Sequence, residues 1–515
     1  MTDWTDGYVA EIGYTFGYYP ELNPLRVKMA LLNANLAVPL PAGATICACE
    51  LGFGQGLSAN MHAAASDVQW YGTDFNPAQA GFAQELAHVA GAGAQLLDQG
   101  FEQFCVRTDL PEFDFIGLHG IWSWVSDANR AVIVDFVRRK LKVGGVLYIS
   151  YNTQPGWAPI VPLRHLLTQH ADIMGAPGRG MVARVDGALE FAEKLLAANA
   201  GYGRANVKVG ERLTRLKGQN RNYLAHEYFN RDWAPMHFAE MADWLAPAKL
   251  SYAASAHYLD SLDAINLTAE QQTLLKEIPD AMFRETVRDF LVNQQFRRDY
   301  WVKGPRTLAA SQAAAAKRAQ RVVLVNPRAA VTMKVTGHVG EAALTEKIYA
   351  PILDVLADNL PHSLGELEQA LAGKGVAFAH LCEAITMYIG KGDVQAAQDE
   401  TLVHRVKPRT DRLNRHLMEQ ARVGADLNYL VSPVTAGGVT VGRFEQLFLL
   451  AQIQNLADPQ GWATFVWKIL QSEGQRIVKE GKQLTTPEEN MAELLRQAQE
   501  FAATRRPLLQ CLQIA

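Results

Sequence analysis

Cysteine is scarce in this chain of 515 residues: Cys47, Cys49, Cys105, Cys382 and Cys511 are odd in number and scattered. They do not suit a disulfide framework, and none forms the CxxC pair of a zinc site. Cys47 and Cys49 read as residues of a buried strand. An HExxH motif is missing too. The His-Glu-Tyr at 226–228 is a lone pair of ligand types, so no metal is assigned. Charge of one sign is not in excess: 49 Lys and Arg face 53 Asp and Glu, a net charge of −4. Nothing in that balance calls for nucleic acid as a partner. No apolar run is long enough to span a bilayer, and the acidic start MTDWTDGYVAEIG lacks the basic and apolar regions of a secretory signal. A cytoplasmic protein is expected. There is no internal repeat and no long low-complexity tract.

What is present begins with alternation. TICACELGF (45–53), QWYGTDF (69–75), AQLLDQ (94–99), FDFIGLHG (113–120) and GGVLYISYN (144–152) read as strands, with amphipathic helical runs between them. Strand and helix taking turns predict a parallel sheet covered on both faces, an α/β Rossmann-like core. Ligands of such sheets bind beyond the carboxyl ends of the strands. Polar or glycine chemistry stands at four of those ends: Glu50 with Gly52, Gly54 and Gly56; Asp74 with Phe75; Asp98 with Gln99; and His119 with Gly120.

The first of these ends, ELGFGQGL, is not the dinucleotide loop. Its third glycine gives GxGxG, with Leu57 where GxGxxG needs glycine, and Glu50 would repel a pyrophosphate. S-adenosylmethionine carries an ammonium and a sulfonium and no phosphate. Bare backbone at Gly52, Gly54 and Gly56 lets it lie across the loop while Glu50 compensates its charge. Asp74 suits the ribose hydroxyls, a role it could equally play for NAD, and Asp98-Gln99 could meet the adenine edge. Turn and cap roles are the plain alternatives for Asp74 and Asp98.

The stretches ELGFGQG, GTDF, FDFIGLHGIWSWV and LKVGGVLYISYNTQPGW, with NYLAHEYFN further on, resemble the motifs of bacterial class I S-adenosylmethionine-dependent methyltransferases that carry a methyltransferase regulatory domain. That group includes the rickettsial outer-membrane-protein lysine methyltransferases. The resemblance covers roughly residues 1–305. It departs near the N-terminus, where GYTFGYYPELNP stands in place of a Thr-His-Pro element. The resemblance implies a seven-stranded sheet completed by 249–260 and 296–304 as an antiparallel edge pair, with a helical insertion over the substrate side. Tyr14, Phe16, Tyr18 and Tyr19 form an aromatic cluster suited to face a cationic sulfur, with Tyr14 and Tyr19 as cofactor contacts, or else a segment packed on the core with no cofactor contact. His119 is a candidate general base or a shelf for the cofactor, Trp122 a candidate wall of a substrate channel or a core residue, and Tyr151 a candidate rim residue.

The expected organisation is an aromatic segment over 1–30, a methyltransferase core over 31–157, a helical insertion over 158–245, and the last two core strands with a regulatory-type region over 246–310. After the alanine-rich stretch SQAAAAKRAQR, either a linker or a solvated helix, come a winged-helix-like domain over 325–408, with TLVHRVKP as its β-like extension, and a helical domain over 409–515 around a loop, SPVTAGGVTVG. The leading functional expectation is methylation of protein lysine. The alternatives are an O-methyltransferase acting on a glycan or small molecule, and a non-catalytic cofactor-binding scaffold whose C-terminal region mediates interaction. A homodimer stays open.

Overall fold

The computed structural model describes residues 5, 7–9, 13, 15–38, 45–176 and 178–514. Seven strands form the main sheet: β1 Ile46–Leu51, β2 Val68–Asp74, β3 Gln95–Asp98, β4 Phe113–Leu118, β5 Leu141–Asn152, β6 Leu250–Ser255 and β7 Phe296–Lys303. Their order is β3-β2-β1-β4-β5-β7-β6. β7 runs antiparallel to both neighbours, from Asn152 opposite Phe296 to Val146 opposite Val302, while the other pairs in the body of the sheet are parallel. The two late segments therefore complete the sheet, the topology of a class I methyltransferase fold. The order reverses at β1 and β4, which puts a crevice over their carboxyl ends.

Five helices accompany the first five strands: α1 Pro24–Asn33, α2 Leu57–Ala65, α3 Pro77–Ala90, α4 Phe101–Cys105 and α5 Asp127–Lys140. Local chemistry ends them. The Asn76 side chain accepts from the amides of Ala78 and Gln79 at the start of α3, with Pro77 in the first turn, and Gly91 closes the helix in the left-handed region. α2 is buried along its whole length, because it lies between the sheet and the C-terminal part of the chain.

The segment expected as one insertion divides into two. The helices Val161–Ile173, Met181–Ala197, Lys208–Lys217 and Arg221–Tyr228 enclose their own core around Leu163, Val185, Leu213 and Leu224. The helix Phe238–Leu245 instead lays Phe238, Met241 and Leu245 on the sheet beside Trp301. Their spacing of three and four residues makes a single apolar stripe, which only the sheet can cover.

In the last third one open alternative is decided and two expectations are corrected. SQAAAAKRAQR is largely the helix Ala310–Arg318. TLVHRVKP is not β-like: it lies in the helix Glu400–Gln420, which runs through the expected 408/409 boundary with Pro408 inside it. Proline costs that helix one donor, but Val403, Val406, Leu413 and Leu417 keep one buried face on both sides of it. SPVTAGGVTVG is a buried hairpin, Tyr429–Ser432 against Gly437–Thr440. The strand Arg321–Leu324, just before the expected boundary at 325, pairs with His362–Ser363 and Val394–Ala397 in a three-stranded sheet.

Apolar contact runs between the parts. One cluster joins Met61 and Leu86 of α2 and α3 to Leu417, Leu430 and Phe448, and another joins Leu31 of α1 to Ile352 and Tyr388. The last third is therefore seated on the core, not strung behind it.

Candidate functional site

The loop after β1 turns over the amino end of α2, and Gly52, Gly54 and Gly56 all take positive φ, 74°, 56° and 66°. A side chain at Gly52 would strike Ile121, and one at Gly56 would lie 2.5 Å from Cβ of Ala83. At Gly54 the nearest obstacle is the side-chain oxygen of Gln79 at 4.0 Å, so this glycine borders open space. Asp74 braces it: Oδ2 accepts from the Gly54 amide at 2.8 Å and Oδ1 from the Asn76 amide at 3.0 Å. Burial raises the Asp74 carboxyl to about 6, against the lowering effect of those two amides. Each oxygen keeps a second lone pair for a hydroxyl.

Glu50 is 1% exposed, and its Oε2 has no hydrogen-bond partner. Burial pushes its pKa well above the usual carboxylate range, and the charge of Asp74 adds to this. A buried carboxylate without a cation is costly unless something supplies the missing charge. The glycine cradle and the orphaned oxygen together fit a cationic ligand with a flexible chain. S-adenosylmethionine meets that description.

The residues expected to meet adenosine stand at the ends of the next two strands. The Gln99 amide donates to the Asp74 carbonyl at 3.1 Å, and the buried Oε1 of Gln99 has no partner. Asp98 is exposed at the same strand end, and Phe75 is half-buried. Sequence reasoning missed what covers Phe75. The ring of Tyr8 meets it edge-on at 5.7 Å and lies 5.5 Å from the ring of His226. Residues 7–9 are fastened there by the Arg231 amide on the Gly7 carbonyl, 2.9 Å, and the Val9 amide on Asn230 Oδ1, 2.8 Å. The only sequence signal was NYLAHEYFN among the family-like motifs, which ends at Asn230.

Tyr14 lies outside the described residues. Tyr19 does reach the site. It stacks on His119 with ring centroids 3.5 Å apart, while its amide donates to Ser58 Oγ. His119 Nδ1 is 2.8 Å from the Tyr148 hydroxyl, and the Phe296 ring stands edge-on at 6.5 Å. Burial lowers the imidazole pKa to about 4, Glu21 acting to raise it and Arg298 to lower it. Glu21 and Arg298 pair at 2.9 Å beside it, a contact between residues too far apart in sequence to be read from it.

Tyr151, expected at the rim, lies elsewhere, and Trp122 takes the core position among its two alternatives. Alternation along β5 sends Tyr148, Ser150 and Asn152 to one face and Tyr151 to the other. Tyr151 is fully buried there, and its hydroxyl donates to Asp299 at 3.0 Å. Trp122 is also fully buried on that side, edge-on to Trp244 at 5.7 Å, with Nε1 on the Met236 sulfur at 3.2 Å. Neither lines an open channel.

Three kinds of comparison place the chain among known proteins. Residues 220–303 match the family described as "Predicted methyltransferase regulatory domain". A protein of Synechocystis described as uncharacterised is 41% identical over 515 residues, covering 99% of this chain and 100% of its own. A Rickettsia prowazekii protein, also described as uncharacterised, is 26% identical over 292 residues, 56% of this chain and 51% of its own. Among solved structures, PKMT2 from Rickettsia typhi in complex with AdoHcy superposes with a TM-score of 0.69 over 95% of this chain and 98% of its own, at 16% identity. The chain belongs to one family with the Synechocystis protein, and it has a class I methyltransferase fold carrying a methyltransferase regulatory domain.

Proposed function

We propose that this protein is an S-adenosylmethionine-dependent methyltransferase whose acceptor is a lysine side chain of another protein. The observation that carries the cofactor reading is the orphaned, buried carboxylate of Glu50 beside a cradle of bare backbone. The cofactor, when bound, supplies a methyl group made electrophilic by its sulfonium. Glu50 compensates positive charge, Gly54 leaves room for the methionine chain, and Asp74 accepts the ribose hydroxyls while holding the loop through its two amide contacts. Phe75, Asp98 and Gln99 frame the adenine edge. The crystal structure of PKMT2 with AdoHcy, on the same fold, supports the choice of cofactor.

Positioning and exclusion of water are what remain for the protein to do. His119, flat beneath Tyr19 and tied through Nδ1 to Tyr148, is a shelf residue. An imidazole whose pKa is about 4 is a weak base for a hydroxyl, which needs one. A lysine ammonium can shed its proton through desolvation beside a cationic sulfur, without a dedicated base. The low basicity of His119 therefore favours an amine acceptor over a sugar hydroxyl. The resemblance to rickettsial lysine methyltransferases points the same way. The free thiols of Cys47, Cys49 and Cys105 suit a reducing cytoplasm.

The test is methylation of a cell lysate with radiolabelled cofactor, separating protein, glycan and small-molecule fractions. Label in protein, recovered as methyllysine on hydrolysis, supports the proposal. Label confined to glycan or small molecules replaces lysine with a hydroxyl or other small acceptor. Calorimetric binding of the cofactor with no transfer to any fraction replaces the enzyme with a cofactor-binding scaffold.

A further inference from the structure

A second cavity, of about 490 Å³, opens at the free edge of the sheet, where β6, α1, the helix Ala281–Val292 and the helix Phe378–Lys391 converge. Much of its lining falls within residues 220–303, the matched regulatory domain. Small side chains line it beside α1, on the face of the sheet that carries Tyr148 and Tyr300: Ala30, Ala34 just past the end of α1, and Ala253 and Ala254 from β6. On the other face of the sheet, beside Phe238 and the helix Ala281–Val292, the lining carries charge.

That charge does not balance. Three carboxylates converge on the guanidinium of Arg297: Asp289 at 2.6 Å, Asp299 at 2.9 Å and Glu285 at 3.1 Å. The neighbouring Arg288 is divided between Asp263 at 2.6 Å and Glu285 at 3.5 Å. Four carboxylates thus share two guanidiniums. The other cations lining the cavity are engaged elsewhere, Arg298 by Glu21 and Lys317 by the Asn35 side chain. Tyr252, Tyr258, Asp260, His338, Cys382 and Glu383 complete the titratable lining. Asp289 is where the deficit shows. It is 2% exposed and borders the cavity, its Oδ1 faces Arg297, and its Oδ2 has no hydrogen-bond partner. Burial raises its pKa to about 7, although Arg297 acts to lower it. An uncompensated buried carboxylate must take up either a proton or a cation.

We propose that this cavity is a second ligand site, for an alkylammonium ion whose charged end pairs with Asp289 and Glu285 and whose carbon chain passes the free edge of β6 towards the alanines. A cavity of this size is in the range that holds small organic ligands. The unpartnered oxygen of Asp289 asks for a cation, and the small apolar lining asks for an unbranched chain rather than a bare metal ion. Two sources share that chemistry: a lysine side chain presented by a polypeptide, and a free diamine. The proposal does not depend on methyl transfer, because it concerns binding at a site built from β6, β7 and the helix between them.

The experiment uses the full chain without cofactor. Calorimetry and thermal unfolding are measured with 1,5-diaminopentane, with lysine blocked at both its α-amino and carboxyl groups, and with potassium chloride at equal ionic strength. Saturable one-to-one binding of either organic amine, with a rise in Tm that potassium chloride does not reproduce, is expected, and the stronger of the two identifies the source. Asp289→Asn keeps the shape and removes the charge. It should weaken that binding at least tenfold while the protein stays folded. If Asp289→Asn does not fold, Glu285→Gln serves the same comparison. Absence of saturable binding by both amines, or equal binding by the wild type and the folded variant, overturns the proposal.

Discussion

Tyr19 lies flat on His119, 19° from parallel with ring centroids 3.5 Å apart, and so closes one face of the imidazole that stands at the end of β4. The other contact is the hydroxyl of Tyr148 on Nδ1. With its pKa near 4 this histidine is neutral across physiological pH and has little basicity to offer. His119→Asn should therefore keep methyl transfer within about tenfold of the wild type, and the rate should show no inflection from this residue between pH 5 and 8. Steady-state rates at saturating cofactor check this. A fall of about 10²–10⁴-fold, the loss expected for a general base, would instead turn the acceptor into a hydroxyl.

Glu50 makes opposite demands in the presence and absence of its ligand. Glu50→Gln removes a buried charge that has no partner, so the ligand-free protein should gain thermal stability. The same change removes the anion that faces the cationic cofactor and should weaken binding by about 1.5–3 kcal/mol. Differential scanning calorimetry and titration calorimetry on the one variant measure both. A variant with unchanged affinity would take Glu50 out of the cofactor site.

Trp122 separates a channel wall from a core residue. It fills the space between Trp244, Met236 and Arg130 with no exposed surface. Trp122→Ala should cost about 3–5 kcal/mol of global stability, the loss seen when a large aromatic leaves a cavity. Denaturant unfolding reads this directly. A variant of near-native stability that had lost only transfer rate would restore the channel role.

The seven-stranded core was legible because five strands announce themselves by apolar runs ending in glycine or carboxylate, and each such end lies at the crevice. Segments 249–260 and 296–304 needed the family resemblance, since nothing local says which sheet they join. The faces of β5 and the residues after β4 were harder. Tyr151 and Trp122 sit next to site residues in sequence, yet one alternation step along the strand, or one turn of 3-10 helix, carries them behind the sheet. The Glu21–Arg298 pair and the strap of residues 7–9 on Asn230 and Arg231 are tertiary contacts with no local signature. Pro408 misled for the opposite reason: its local signal is strong, and the packing of Val406 and Leu413 overrides it.

His62 should make the junction with the last third sensitive to acid. It is fully buried, its Nδ1 meets the Ala436 carbonyl at 3.0 Å, and burial lowers its pKa from 6.5 to about 4. Between those values the unfolded chain binds the proton that the folded one refuses. The stability it contributes is complete above pH 6.5 and is lost as pH falls towards 4. Asp74 and Asp289, whose pKa values are raised, act in the opposite sense, so the difference between variant and wild type is the quantity to measure. His62→Gln should flatten the decline of Tm between pH 6.5 and 4. An unchanged slope would mean that this histidine does not govern the junction's response to acid.

The C-terminal hairpin should affect the cofactor site through the same junction. Gly437 and Gly438 pack against Tyr18, and the Asn23 side chain, which caps α1, donates to the carbonyl of Thr435 at 2.9 Å. A methyl group at Gly437 would run into the Tyr18 hydroxyl and stand 2.8 Å from Asn23 Nδ2. Overpacking of that kind costs about 1–3 kcal/mol when the surroundings are already full. Tyr18 cannot shift without pulling on Tyr19, whose amide is held by Ser58 and whose ring covers His119. Gly437→Ala should therefore lower cofactor affinity severalfold although it lies in the last third of the chain, while Gly424→Ala, half-buried between exposed neighbours with Asp426 nearest at 3.6 Å, should not. Titration calorimetry on the two variants decides between a C-terminal part that shapes the site and one that serves only as a separate interaction module, for which both variants would bind the cofactor as the wild type does.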